Sequence, residues 1–249
     1  MTNMNSPILI STSPGPTRSP RLFMQFMEPL GTTDPSVEAG WDFPHERWKT
    51  DFLETVRELA PGCIRWGGIL SSFWKWREGI GPRASRVPLL NLLWHGVETN
   101  QIGVHEIMSL CREVSAEPLM AVNFAGDGRP EYVTPGVGPS RAGDAAEAAD
   151  LVSYCNDPGH HERAANGAPQ PFGVRLWQIG NETSYPRAGG RFSREQNARL
   201  FVEFAREMKN RDASIQLIGW GDEAKDEEGF WAESLLEEAG SSSTSWPFT

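Results

Sequence analysis

Five short apolar runs, separated by stretches of helical periodicity, constrain this chain more than any other feature in it. The runs are Leu22 to Met27, Cys63-Ile64-Arg65-Trp66, Pro118 to Phe124, Val174 to Ile179 and Ile215 to Trp220. After the first, Trp48, Phe52, Val56 and Leu59 recur at helical spacing behind Pro44 and stop at Pro61-Gly62. Val104, Ile107, Met108, Cys111 and Val114 mark a second helix, and Ala145, Ala148, Leu151 and Val152 a third. A capping box, Ser193-Arg194-Glu195-Gln196, opens a fourth helix with Ala198, Phe201, Val202, Ala205 and Met208 inward. Phe230 to Glu238 reads as a fifth. Strands alternating with helices predict a parallel α/β sheet, either a (β/α)8 barrel or a doubly wound sheet. No Gly-rich phosphate fingerprint follows the first run, which disfavours the nucleotide-binding form. Long loops after the second and third runs suit a barrel, whose site is built from such loops. At this spacing eight units need far more than 249 residues. The expectation is therefore a partial (β/α)8 barrel, its first five βα units, over residues 21–240. A flexible segment at 1–20 and a non-native or disordered tail at 241–249 flank it.

The fourth run ends abruptly in Trp177-Gln178-Ile179-Gly180-Asn181-Glu182. A buried parallel strand delivers polar residues in this way to a site at its carboxyl end. A Glu among apolar and hydrogen-bonding neighbours can have its pKa raised and act as a general acid. Asn181 beside it is placed to hydrogen-bond a sugar hydroxyl. The plain alternative is a strand end followed by a turn. Ten Trp are more than packing usually requires, and their faces stack well on sugar rings, although most Trp are core.

Other constellations point elsewhere or nowhere. The net charge of −10, with no basic stripe, argues against nucleic-acid or anionic-membrane partners. Cys63, Cys111 and Cys155 are odd in number, widely spaced and in apolar surroundings, so reduced core thiols are expected and no zinc motif is present. No metal or cofactor is called for. No window approaches membrane-spanning length, and Ile8-Leu9-Ile10 is too short for a secretory core, so a cytoplasmic location is expected. His160-His161 beside Glu162 reads as solvated loop rather than a metal pair. The acidic run from Asp222 to Glu228 reads as the solvated start of a helix.

Taken in order, several strings resemble the α-L-arabinofuranosidases of glycoside hydrolase family 51, within the clan of (β/α)8 retaining glycosidases. Phe26-Met27-Glu28-Pro29-Leu30-Gly31 is similar to the family's first-strand motif and Ile64-Arg65-Trp66-Gly67-Gly68 to its second. Gly79-Ile80-Gly81-Pro82-Arg83, Trp94 with Glu98-Thr99-Asn100, Ala121-Val122-Asn123, and Trp177 to Glu182 follow in register. The resemblance runs from about Leu22 to Gly240. It implies a glycosidase whose acid/base is Glu182, with Asn181, Glu28, Arg65, Trp94 and Asn123 binding the sugar. Two departures bear on substrate. Gly67 stands where the family has Pro, and Ile69 or Leu70 stands where its sugar-holding Asn falls, which leaves room for a clan member acting on β-glucosides or xylosides. A non-catalytic sugar-binding relic is a further alternative.

Retaining hydrolysis needs two carboxylates about 5–5.5 Å apart. The resemblance places the nucleophile on a seventh strand, so it is expected beyond residue 249; Asp222 and Glu223 are better explained by a helix start and by solvent. The tail Ser243 to Thr249 fits no strand, yet its codons read one base earlier permit Ile-Asp-Leu-Val-Ala-Phe-His, close to the family's sixth strand. A reading-frame shift near Gly240 is the expectation. The 249-residue chain alone is expected to lack measurable activity and, with strand edges open, to aggregate readily. Oligomerisation is left possible for the full-length protein.

Overall fold

The first sheet strand, β1, spans Met24–Met27 and pairs in parallel with β2, Cys63–Trp66. Then come β3 (Glu117–Val122), β4 (Leu176–Ile179) and β5 (Gln216–Gly219), each parallel to its predecessor. The sheet order is thus strictly the chain order. A doubly wound sheet reverses direction at a switch point, whereas successive neighbours all added on one side are what a barrel requires. The computed structural model describes residues 17–31, 36–68, 70–91, 95–128, 141–184, 192–222 and 230–241.

Among the described residues, the longer helices that connect or follow the strands are α1 (Thr50–Leu59), α2 (Val104–Val114), α3 (Ala145–Asn156), α4 (Arg194–Arg211) and α5 (Trp231–Ser241). The capping box of α4 forms, with Gln196 N–H donating to Ser193 Oγ and Ser193 N–H to Gln196 Oε1. Strand periodicity then sorts the side chains. Ile64, Trp66, Met120, Val122, Trp177 and Ile179 point outward into one large core, meeting Ile107, Leu110, Leu151, Val152, Phe201 and Phe204 from the helices. Trp66 and Trp177 are completely enclosed. The opposite parity faces inward: Cys63, Leu119 and Leu176 form a small separate cluster against Ile218.

Two expectations need correction. Trp48 is not helical: it lies in a two-residue strand, Arg47–Trp48, antiparallel to Trp41–Asp42. Its indole meets that of Trp41 edge-on at 5.0 Å and donates to Glu106 O on α2 at 3.1 Å. Helical spacing from Trp48 to Phe52 was coincidental, and α1 starts at Thr50. The stretch from 70 to 101 is also more than loop. It holds a helical turn, Leu70–Phe73, and a hairpin pairing Leu89–Asn91 with Gly96–Glu98. The N-terminal residues 1–16 and the tail beyond Ser241 lie outside the described residues, as does Trp94.

Candidate active site

The carboxyl ends of β1, β2 and β4 bring four of the expected residues together. Glu28 follows β1 directly, Arg65 is the penultimate residue of β2, and Asn181-Glu182 comes two residues after β4. Arg65 points inward. Its Nε donates to Gln178 Oε1 at 2.6 Å and its Nη2 to Asn181 Oδ1 at 2.7 Å, so one guanidinium ties β2 to the end of β4. The same group lies 4.3 Å above the Phe26 ring. Burial pushes the Arg65 pKa down, and Glu28 and Glu182 both act against that push. Both carboxylates therefore lie in the field of one half-buried cation. Arg65 stays charged because a guanidinium is so strongly basic.

Glycine is needed here for close approach. A Cβ on Gly68 would fall 2.0 Å from Glu28 Oε1, and its φ of +69° is left-handed. The bare backbone lets the Glu28 carboxylate lie against the turn after β2. With its oxygen accepting from Arg65, the two amide N–H donors of Asn181 take no part in that contact; this orientation follows from the hydrogen bonds.

The end of β4 is strained and tightly held. Gly180 has φ +86°, and Glu182, which carries a side chain, sits at φ 52°. Such a conformation costs about 1–3 kcal/mol and persists only when its surroundings enforce it. Gln178 Nε2 donates to Gly180 O at 2.7 Å. The Asn181 N–H donates to Asp127 Oδ1 at 3.3 Å, and Thr183 Oγ to Asn197 Oδ1 at 2.9 Å. Ser184 donates to Asp222 Oδ2 and accepts from Trp220 Nε1 at 3.0 Å, which accounts for Asp222 as a partner of the loop after β4. Glu223 lies outside the described residues.

Asn123 is brought to the same end of the barrel but is fully occupied. Its Nδ2 donates to Trp74 O at 3.1 Å and Arg141 O at 2.7 Å, and its Oδ1 accepts from the N–H groups of Gly126 and Gly143. A side-chain amide has little further capacity, and these contacts make Asn123 a brace between loops. His160 is likewise not loose loop: its ring accepts from Arg163 N–H and caps the short helix His161–Ala165, while Glu162 pairs with Arg77. The three cysteines are free and buried, and burial raises the Cys63 thiol to about 11 and the Cys111 thiol to about 12.

Two features escaped the sequence reading. Asp127 lies in a stretch that reads as plain loop. Glu38 and Glu98 are both buried: Thr99 donates to Glu38 Oε1, and Asn91 Nδ2 and Gly31 N–H donate to Glu98 Oε1 at 2.6 and 2.8 Å. Burial first, then the Glu98 charge, raises Glu38 to about 7. The string Glu98-Thr99-Asn100 was visible as a motif, but nothing in it announces a buried acid. Among the described residues no helix is long and apolar enough to cross a membrane.

The family model described as the alpha-L-arabinofuranosidase 1 domain matches residues 55–243. An exo-α-(1→6)-L-arabinofuranosidase of Bifidobacterium longum is 36% identical over 228 residues, covering 87% of this chain and 41% of its own length. An intracellular exo-α-(1→5)-L-arabinofuranosidase of Streptomyces lividans is 34% identical, covering 88% of this chain and 33% of its own. Among solved structures, a family 51 α-L-arabinofuranosidase from Bifidobacterium longum superposes with a TM-score of 0.73 at 29% identity, over 89% of this chain and 43% of that one. The thermostable family 51 enzyme of Thermotoga petrophila gives 0.69 at 29% identity, over 88% of this chain and 43% of that one. The chain thus spans less than half the length of these relatives.

Proposed function

The chain belongs to the α-L-arabinofuranosidase family, and from that premise we propose that it forms five βα units of a retaining glycosidase barrel acting on terminal arabinofuranosyl groups. Glu182 is the general acid that protonates the leaving oxygen and then the base that activates water. The Asn181 NH2 binds a sugar hydroxyl, Arg65 holds Asn181 in place, and Glu28 accepts from further hydroxyls. The nucleophilic carboxylate belongs about 5–5.5 Å from Glu182 and comes from a seventh strand, outside these five units. The observation that carries this reading is the Arg65 bridge, which gathers Asn181 directly and Glu28 and Glu182 electrostatically. Residues 21–240 form the catalytic part. The net charge of −10 supports a carbohydrate rather than a nucleic-acid partner, and the intracellular naming of the Streptomyces lividans relative supports an intracellular location.

The test is leaving-group dependence in a protein where these units are continued by strands six to eight. Glu182→Gln should cost about 10²–10⁴-fold on arabino-oligosaccharides, the usual worth of general acid catalysis, and far less on aryl arabinofuranosides with acidic leaving groups. Equal losses on both would remove Glu182 from the acid role. A β-glucoside or xyloside is the second reading, favoured by Gly67 and by apolar residues at the Asn position. A panel of aryl glycosides decides between them.

A further inference from the structure

Asp127 takes no part in the roles assigned above, yet it is completely buried. It stands just past β3 with φ 47°, after Gly126 at φ +68°. Its Oδ2 accepts from Ser71 Oγ and from Ser72 Oγ at 3.0 Å, both on the helical turn Leu70–Phe73 that follows Gly68. Its Oδ1 accepts from the Asn181 N–H at 3.3 Å. A carboxylate withdrawn from water is costly unless donors surround it, and these three come from two different loops. The dependence is mutual. Gln178 fixes Gly180 O, Arg65 fixes the Asn181 side chain and Asn197 fixes Thr183, but the Asn181 N–H is held by Asp127 alone among the described residues. That peptide leads directly into the left-handed Glu182.

We propose that Asp127 is a positioning residue for the acid/base: it locks the peptide before Glu182 and couples it, through Ser71 and Ser72, to the turn against which Glu28 rests. The coupling is geometric. The Leu70–Phe73 turn begins two residues after Gly68, whose backbone abuts the Glu28 carboxylate. Asp127 thereby connects the two walls of the sugar site, one bearing Glu28 and the other Glu182. Its effect on chemistry rests on the reading of Glu182 given above; its effect on the backbone does not.

The first measurement is amide hydrogen exchange on the 249-residue chain, wild type against Asp127→Ala. The Asn181 and Glu182 amides should exchange at least about ten-fold faster, while those of Trp177 and Ile179 in β4 keep their protection. Unchanged exchange at Asn181, or a uniform rise throughout β4, overturns the proposal. Should the Ala variant not fold, Ser71→Ala with Ser72→Ala loosens Asp127 from the other side. Faster exchange confined to Asn181 and Glu182 in that double variant supports the lock, and wild-type exchange overturns it. The second measurement uses the barrel continued by strands six to eight. Asp127→Ala, or Ser71→Ala with Ser72→Ala, should lower kcat on arabino-oligosaccharides at least about ten-fold with little change in KM, and spare aryl arabinofuranosides with acidic leaving groups. Equal loss on both classes means a merely structural role and overturns the catalytic part. If Glu182→Gln itself shows no leaving-group dependence, the acid/base reading fails while the exchange result stands on its own.

Discussion

The two faces of the five-stranded sheet are built from alternate residues of the same strands, and they differ in almost every respect. The outer face carries Trp66, Met120 and Trp177 in one row, all 0–1% exposed and packed under helices. The inner face encloses a smaller set, Cys63, Leu119, Ala121 and Leu176, with Ile218 partly covered, and on β1 Met24 and Phe26 remain 48% and 44% exposed. Above that thin apolar layer stand Arg65, Gln178 and Glu28. The outer face thus supplies cohesion, and the inner face carries the polar and charged side chains. A one-residue slip in register would exchange them.

Substitutions should separate the faces cleanly. The largest expected effect is on the outer one: Trp177→Ala should cost about 3–5 kcal/mol, measured by urea unfolding. A cost under about 1 kcal/mol would mean that the helices do not depend on that row. Next, Leu151→Ala on α3, at 1% exposed, should fall in the range of about 2–5 kcal/mol for buried Leu. Leu176→Ala on the inner face should fall at or below the bottom of that range, because its cluster is small and its cavity can collapse. Equal costs would erase the contrast drawn here.

The smallest expected effect is a pH dependence. Glu38 is raised to about 7 by burial and by the Glu98 charge, from an ordinary value of 4.5. The folded state therefore holds this proton more tightly than the unfolded chain. Its contribution is fully present below the unfolded pKa and is lost as pH rises through the folded value of about 7. Melting temperature should decline over that window, and Glu38→Gln should flatten the decline while keeping an oxygen for Thr99. An identical slope in the variant would assign the pH dependence to other groups.

The contrast between the faces also explains what the sequence could reveal. Strand and helix positions were legible wherever burial on the outer face imposes continuous periodicity, as for Ile64, Trp66, Ile107 and Leu151. The end of β4 was legible because Gly-Asn-Glu breaks an apolar run. Trp48 misled because a hairpin indole and a helix residue can share one spacing. Asn123 was legible only in part: residue type and motif give its place, but only the positions of Trp74, Arg141, Gly126 and Gly143 reveal the hydrogen bonds of its amide. Asp127 and Glu38 were hidden because burial of a carboxylate is decided by distant loops, and no local pattern records it.

The central claim is that Glu182 is the acid/base of a retaining site on the inner face, and azide rescue tests it most directly. In a protein continuing these units through strands six to eight, Glu182→Ala should hydrolyse an aryl arabinofuranoside with a good leaving group slowly, because water then lacks its general base. Azide needs no base. Added azide should restore turnover and give an arabinosyl azide with the substrate's anomeric configuration, the product of two successive displacements. An azide of inverted configuration, or no rescue at any concentration, would contradict the account.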